Sequence, residues 1–579
     1  MLLQDFYEGK AFDAYTYFGA HLQGQGCLFR TYAPQASRVC VIGEFNNWQE
    51  AELSQEDHGG IWSFYSENAM EGQMYKYVIY GKNGRVEHCD PYGFGMELRP
   101  GSASIIRNVA YSFHDQEWME KRTRNFDKAL NIYEVHFGSW RLKADGSWFT
   151  YDELAPALID YCKKYHYTHV EFMPLNEYPF DGSWGYQPTG YFSPTSRYGN
   201  ASQLQTLIDS LHQAGIGAII DFVPAHFAVD SYGLKQYDGS ELYEYPESDV
   251  TESEWGTCNF IYSRHEVCSF LQSVCHYWLQ EYHFDGIRMD AVSRLIYWLG
   301  DEKRGVNPRS IEFIQRMNAG LHHLHPSCML IAEDSTAYPN VTKPVLEGGL
   351  EFDYKWDLGW MNDTLDYFMK TSDERKDYAA KLTFSMYYFY KERYLLPLSH
   401  DEVVHGKKTI IDKIYGSYEE KFSQCRSLYM YMMVHPGKKL NFMGNEIAMF
   451  REWDESKEPD WFLLEYPMHD SFSKYIQQLN AIYTNYAPLY EWDDDPRGFT
   501  WVLMEEQENL FGIKRSVNNE SGIYAYFNFS DQNKTIPLPE PLTPLLHSDW
   551  EAFSGHTKQV QKASKELVLP PFRSALLKV

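Results

Sequence analysis

Between residues 15 and 110, short runs of apolar, aromatic and β-branched side chains separated by polar turns give a β pattern. Residues 38–42 and 75–80 are the clearest of these. The second is rich in aromatic and β-branched side chains and leads into Asn83-Gly84, a tight-turn pair. Short strands at regular spacing predict a small sandwich. Residues 113–128, irregular and mixed in charge, read as the linker out of it. From Asn131 the period changes. Short apolar runs at 132–137, 168–173, 217–223, 286–291, 329–333, 352–357, 394–399 and 439–443 read as strands. Amphipathic stretches at 152–165, 202–214, 268–282, 311–324, 418–433 and 471–486 read as the helices between and after them, the first with Asp152 as its N-cap. Eight strands alternating with helices predict a closed (β/α)8 TIM barrel. A long Tyr- and acid-rich excursion at 225–267 reads as a lid or binding loop. After Pro488 the pattern returns to β, at 499–503, 510–514 and 524–529. The expected fold is therefore multidomain: an all-β sandwich at 1–115, the barrel at 116–487 and a second all-β sandwich at 488–579.

In such barrels, residues that end the strands on one face build the site. Strand three ends in Asp221, with His226 five residues on; strand four ends in Arg288 and Asp290. Strand five ends in Glu333 beside Asp334, and strand seven in His400-Asp401. Two positions apart on a strand, Arg288 and Asp290 share a face. A guanidinium beside a carboxylate lowers its pKa, which suits that carboxylate to attack on carbon rather than to proton donation. Any one strand-end acid is as readily an ion pair or a cap. Several such ends in barrel order weigh against that reading. No His-Glu-x-x-His metal motif accompanies them, and the histidines at 322, 323 and 325 read as cations at a helix C-terminus. Neither a metal nor a cofactor is expected. Paired carboxylates without a metal point to glycosyl transfer or hydrolysis.

Composition narrows the ligand. With 80 acidic against 52 basic residues and a net charge of −28, the chain lacks the basic footprint that nucleic acid or an anionic membrane requires. An uncharged ligand fits better. The 16 Trp and 46 Tyr are mostly core, yet some suit stacking on sugar rings. Nine cysteines without a Cys-x-x-Cys pair read as reduced, buried thiols. The opening residues show neither a basic leader nor a sustained apolar stretch, and no run approaches the length of a membrane span. The expectation is a cytoplasmic monomer.

The segments Asp221-Phe222-Val223-Pro224-Ala225-His226, Gly286-Ile287-Arg288-Met289-Asp290-Ala291, Ile331-Ala332-Glu333-Asp334-Ser335-Thr336 and Leu398-Ser399-His400-Asp401-Glu402-Val403-Val404-His405 resemble the signature regions of the α-amylase superfamily (glycoside hydrolase family 13). Within it, Tyr133 to Trp140, Trp184 to Gly199, Arg451-Glu452-Trp453 and Leu464 to His469 resemble the 1,4-α-glucan (glycogen) branching enzymes. Gly43 to Trp48 resembles the glycogen-binding sandwich, a carbohydrate-binding module of the 48 type, that precedes their barrel. Three positions depart from the pattern: Phe222 stands where Trp is common, Asp334 where a second Glu is, and Asn445 where Gly is.

The resemblance implies roles. Asp290 is the expected nucleophile, Glu333 the proton donor and then base, and Asp401 the stabiliser of the distorted ring in the transition state. Arg288 keeps Asp290 ionised, Tyr186 stacks under the sugar, Asp221 completes the subsite, and His226 and His400 donate to ring hydroxyls. Nearby ionised carboxylates would raise the pKa of Glu333 so that it holds its proton. A retaining double displacement places the two reacting carboxyls roughly 5–5.5 Å apart. The expected substrate is an α-glucan polymer: amylose, amylopectin or glycogen. Two rivals share much of this. A trehalose-releasing or debranching hydrolase would carry the same three carboxylates but not the flanking segments. A non-enzymatic glucan-binding protein would have no need to keep all three acids with Arg288.

Overall fold

The computed structural model describes residues 1–56, 59–518 and 522–579. The chain divides into two compact units. One comprises Met1–Arg122, Lys143–Pro156 and Phe172–Phe352; the other comprises Thr123–Leu142, Ala157–Glu171 and Asp353–Val579. Eight barrel strands follow one another in chain order: Asn131–Val135, His169–Phe172, Gly217–Phe222, Gly286–Met289, Met329–Ala332, Tyr354–Trp356, Tyr394–Leu398 and Lys438–Phe442. The last pairs in parallel with the first and closes the barrel. Every residue of these strands is buried, which is why they read as near-continuous apolar runs rather than alternating ones. Each ends one or two residues before its apolar run does. The backbone has already left the ladder there to form the rim.

In the first unit, the N-terminal sandwich packs a four-stranded sheet (Gly19–Gln23, Gly26–Tyr32, Ile61–Ser66, Ser54–Gln55) against a five-stranded one built on Arg38–Gly43 and Met74–Gly81. The 225–267 excursion is not a free lid along its first half. The Tyr237 hydroxyl lies 2.7 Å from Thr31 Oγ1, the Gln35 N–H donates to Asp238 Oδ2 at 2.8 Å, and the Cys89 N–H donates to the Tyr232 carbonyl at 2.8 Å. These bonds make it a buttress on the sandwich.

The linker is likewise more ordered than its composition suggests. It contains the helix Gln116–Lys121, whose Trp118 donates to Asp285 Oδ1 at 2.8 Å. Buried His212 sits between Asp115 (2.7 Å) and Asp285 (2.9 Å). Burial alone would push this imidazole down, but Asp285 and Asp115 more than reverse that and raise it to about 9. Its folded-state pKa lies above the ordinary value of about 6.5. The imidazolium therefore contributes on the order of 3 kcal/mol at pH 6, a contribution lost as pH rises through about 9. The thermal midpoint is expected to fall between pH 7 and pH 9.5, more steeply than in a His212→Asn variant. Equal slopes would show that the cluster does not carry this charge.

Helix starts follow local chemistry. Pro308–Leu324 begins at a proline in the first turn, with Asn307 accepting from the Arg309 and Ser310 N–H groups. Tyr151–Tyr165 starts one residue before the sequence suggests. Asp152 lies within its first turn rather than at its cap, and Glu153 reaches back to the Thr150 N–H at 2.9 Å.

In the second unit, the C-terminal sandwich uses one long strand, Lys534–His547, in both layers. Its first half pairs with Ser564–Leu569 and its second half with Ser574–Lys578. Leu510, Tyr524, Ile536, Leu542 and Leu569 form the core between the layers. Buried Asp493 ties this sandwich to the eighth barrel strand: Arg515 donates to it at 2.9 Å and Lys438 Nζ stands 3.2 Å away. Burial would raise the Asp493 carboxyl, but Lys438 and Arg515 hold it below the usual carboxylate range. All nine cysteines are free and buried. Among the described residues, no helix is long and apolar enough to cross a membrane.

Candidate active site

Three neighbouring parallel strands of the first unit bring four of the predicted residues together, and a loop adds Tyr186. Register does most of the work. Asp221 pairs with Arg288 across strands three and four, and Met289 pairs with Ala332 across four and five. Asp290 and Glu333, each the next residue on, therefore leave adjacent strand ends side by side. The Asp290 N–H still donates to the Phe222 carbonyl (2.9 Å) and the Glu333 N–H to the Met289 carbonyl (3.0 Å).

Arg288 is the hub. Fully buried, it donates to Asp221 Oδ2 at 2.9 Å and to Asp290 Oδ1 at 3.1 Å, and its other terminal nitrogen lies 4.0 Å from Glu333 Oε2. Burial would lower the guanidinium, but Asp221, Tyr186, Asp290 and Glu333 together hold it raised well above its ordinary value. It is a permanent cation. Tyr186 is half-buried and donates to Asp221 Oδ2 at 2.6 Å, which fixes its ring over the same corner. The loop that delivers it turns at Gly185, where φ is +93° and a Cβ would lie 2.6 Å from the Pro174 carbonyl oxygen.

After Asp290 the chain bends sharply. Ala291 adopts φ +50°, costly for a residue with a Cβ, and its N–H donates to Glu333 Oε2 at 2.7 Å. Asp334, the departure beside Glu333, points away from any acid role: it accepts from the Thr336 N–H (3.0 Å) and hydroxyl (2.9 Å), closing the turn behind Glu333.

His226 lies in a two-residue ladder with Cys258–Asn259. Burial, with Arg294 nearby, pushes it down to about 3, so it is a neutral imidazole at physiological pH. Its ring is 5.1 Å from that of Trp255, which is 47% exposed and carries the Arg294 guanidinium 4.4 Å over its face. Trp255 was not singled out from the sequence. A large aromatic within a polar, Gly-containing stretch of a long barrel loop was the available signal.

In the second unit, strand seven leads into His400 and Asp401. The His400 N–H donates to Glu134 Oε2 at 2.9 Å, its Nδ1 lies 2.5 Å from Glu134 Oε1, and its Nε2 lies 3.5 Å from Asp401 Oδ1. Asp401 is 55% exposed at its side chain. Glu134, on strand one, is wholly buried and selects the tautomer and orientation of His400. It too was missed. A lone carboxylate inside the apolar run Ile132-Tyr133-Glu134-Val135 marks it. Asn445 has a clear role: its amide donates to the Leu398 carbonyl (3.1 Å) and to Asn441 Oδ1 (3.3 Å), clasping strands seven and eight where a glycine could not.

The histidines at 322, 323 and 325 stand apart from this constellation at the end of Pro308–Leu324. Their reading as helix-end cations fails for His325. Burial, together with His276 whose ring nitrogen is 2.8 Å away, pushes it down to about 3 and leaves it neutral. Among the described residues, no group of three or more His, Cys, Asp or Glu side chains is placed to hold a metal ion.

A closed parallel barrel with Asp, Arg-x-Asp and Glu at the ends of strands three to five defines a protein of the α-amylase class. Residues 254–532 match the family model "Alpha amylase, catalytic domain", and residues 17–93 match "Carbohydrate-binding module 48 (Isoamylase N-terminal domain)". Among solved structures, a pullulanase complexed with maltotetraose from Anoxybacillus sp. LM18-11 superposes with a TM-score of 0.76 at 16% identity, covering 99% of this chain and 89% of that one. A putative α-amylase from Salmonella typhimurium superposes at 0.73 and 16% identity, covering 97% of this chain and all of the other. These share the fold. Two curated relatives are much nearer in sequence, both described as 1,4-alpha-glucan branching enzyme GlgB. That of Bacillus caldolyticus is 42% identical, covering 99% of this chain and 91% of the relative; that of Fusobacterium nucleatum is 44% identical, covering 95% and 92%. The chain belongs to the family of 1,4-α-glucan branching enzymes.

Proposed function

We propose that this chain cuts an α-1,4 bond in a linear glucan and transfers the freed segment to a 6-hydroxyl, creating an α-1,6 branch. The observation that carries the chemistry is the shared guanidinium: Arg288 donates to Asp290 at 3.1 Å while standing 4.0 Å from Glu333, and a cation so placed favours an ionised carboxylate as the nucleophile. An Asp290 carboxylate oxygen attacks the anomeric carbon, the bond to the leaving glucan breaks, and Glu333 delivers a proton to the departing oxygen. The Ala291 N–H holds Glu333 Oε2, so Oε1 carries the transferred proton. In the second half the acceptor 6-hydroxyl gives its proton to Glu333 and attacks the anomeric carbon, and Asp290 leaves. Overall one α-1,4 bond is exchanged for one α-1,6 bond, with retention at the anomeric centre.

Tyr186 stacks beneath the reacting ring. Asp221 shapes its subsite, and neutral His226 and oriented His400 donate to its hydroxyls. Asp401, at the end of strand seven of the same barrel, engages two hydroxyls as the ring flattens. Transfer outruns hydrolysis when the acceptor is held at high effective concentration. The sandwich at 1–115 is assigned that holding role, the barrel at 116–487 with its 225–267 excursion the chemistry, and 488–579 support of the barrel. Nine buried free thiols support a reducing, cytoplasmic location. The chain is assigned as a monomer.

Incubation with amylose, followed by debranching and chain profiling, tests the reading. The expected product carries new α-1,6 links with little gain in reducing ends. Reducing sugar released without such links would make the chain a hydrolase.

A further inference from the structure

A short helix, Val292–Ile296, begins two residues after Asp290, and Arg294 is its middle residue. The Arg294 side chain is only 10% exposed. Its guanidinium lies 4.4 Å over the Trp255 ring and pairs with Glu254, both in the 225–267 excursion. Gly300, at φ +72°, leaves it space: a Cβ there would come within 3.0 Å of Arg294 Cδ. One nitrogen of the guanidinium, Nη1, is buried and has no hydrogen-bond partner among the described residues; the same is true of His226 Nδ1. A single helical turn needs no buried cation, and one left partly unsatisfied costs stability. Departures of this kind fall at functional positions.

Trp255 stands on a tight turn that holds its own shape. The Ser253 N–H donates to the Thr257 carbonyl at 2.8 Å, the two hydroxyls lie 2.5 Å apart, and the Trp255 N–H donates to Ser253 Oγ at 3.2 Å. Arg294 is not needed to form this turn. What it fixes is where the turn sits. The Trp255 ring lies 5.1 Å from that of His226, and Gln187, next to Tyr186, donates to the Trp255 carbonyl at 3.5 Å. The cation also adds to burial in keeping His226 neutral.

We propose that Arg294 is a positioning residue of the glucan-cutting site: it seats Trp255 against His226 and so sets the imidazole that donates to the reacting ring. The inference rests on the reading above. As the ring flattens its hydroxyls move, and a donor already held in place acts more strongly in the transition state than on the bound ground state. Loosening Trp255 should therefore lower kcat more than it raises KM.

A cycle of single and double variants tests this in the full chain, with a thermal midpoint recorded for each protein. Rates are counted as α-1,4 bonds cut in amylose, whether the segment goes to a 6-hydroxyl or to water. Arg294→Met is expected to lower kcat about 10-fold with KM within about 2-fold of the parent. Trp255→Leu should lower kcat by a similar factor, and the two together by about 10-fold rather than about 100-fold, because both remove one seat. Arg294→Lys, which keeps a cation for the indole, should fall between the parent and Arg294→Met. Additive losses in kcat, a loss confined to the thermal midpoint, or a raised KM with kcat intact would overturn the proposal. The two readings fail separately: cutting without branching removes the transfer and leaves the seat, whereas branching untouched by these variants removes the seat alone.

Discussion

Asp290→Asn is expected to lower the rate of branch formation by about 10⁴-fold or more while the protein folds as before. The asymmetry comes from what each atom does. Asparagine keeps the volume of the side chain and an oxygen that can still accept from Arg288, which lies 3.1 Å from the carboxylate now. Arg288 also keeps its bond to Asp221 at 2.9 Å, so no buried cation is stranded. What disappears is the negative oxygen proposed to attack the anomeric carbon, and an amide is no substitute for it. Glucan affinity should therefore survive where turnover does not. The measurement is new α-1,6 links per enzyme from amylose, alongside a thermal midpoint and a maltoheptaose binding isotherm. A variant that still branches at a substantial fraction of the parent rate would remove Asp290 from the role of nucleophile, and a glucan-binding protein without catalysis would show no change at all.

Arg288→Met should damage both stability and turnover. Here the buried group removed is the common partner of Asp221 and Asp290 and a near neighbour of Glu333. Taking one member out of a buried ion pair typically costs roughly 3–5 kcal/mol, because the charge left behind keeps its desolvation cost without its partner. The carboxylates relieve this by binding protons, so the Asp290 pKa rises and the acid limb of kcat/KM moves to higher pH. Misplacement of the nucleophile should add a loss on the order of 10²-fold even at the new optimum. Arg288→Lys restores the charge but not the two-pronged reach, and should recover stability better than rate. Unfolding curves and pH–rate profiles separate the two effects. An Arg288→Met protein as stable as its parent, with an unmoved acid limb, would show that the guanidinium is not what holds Asp290 charged.

The barrel was legible because burial on both faces writes each strand as an apolar run, and the helices between carry the 3.6-residue period. The strand ends were less so. Every run overstates its strand by one or two residues, since Asp290 and Glu333 belong to the pattern of the sequence but sit just beyond the ladder. Their closeness was legible from residue type and order; the means, a register pairing Met289 with Ala332, was not. Glu134 was hidden because its partner His400 lies far along the chain, and no local period reports such a pair. His325 misled for a related reason: position at a helix end argues for a cation, whereas burial against His276, invisible locally, makes it neutral. Composition likewise made the 113–128 linker look loose, although Asp115 and Trp118 anchor it through His212 and Asp285.

The pairing of Asn131–Glu134 with Lys439–Phe442 has a consequence for synthesis of the chain. The opening stave of the barrel leaves the ribosome long before the one that seals it. At about 5–20 residues per second the delay is on the order of tens of seconds. Throughout that interval one flank of Asn131–Val135 lacks its native neighbour and offers unpaired backbone to any other extended segment. Slowing translation between these two stretches should therefore lower the soluble yield, whereas slowing it after the eighth stave should not.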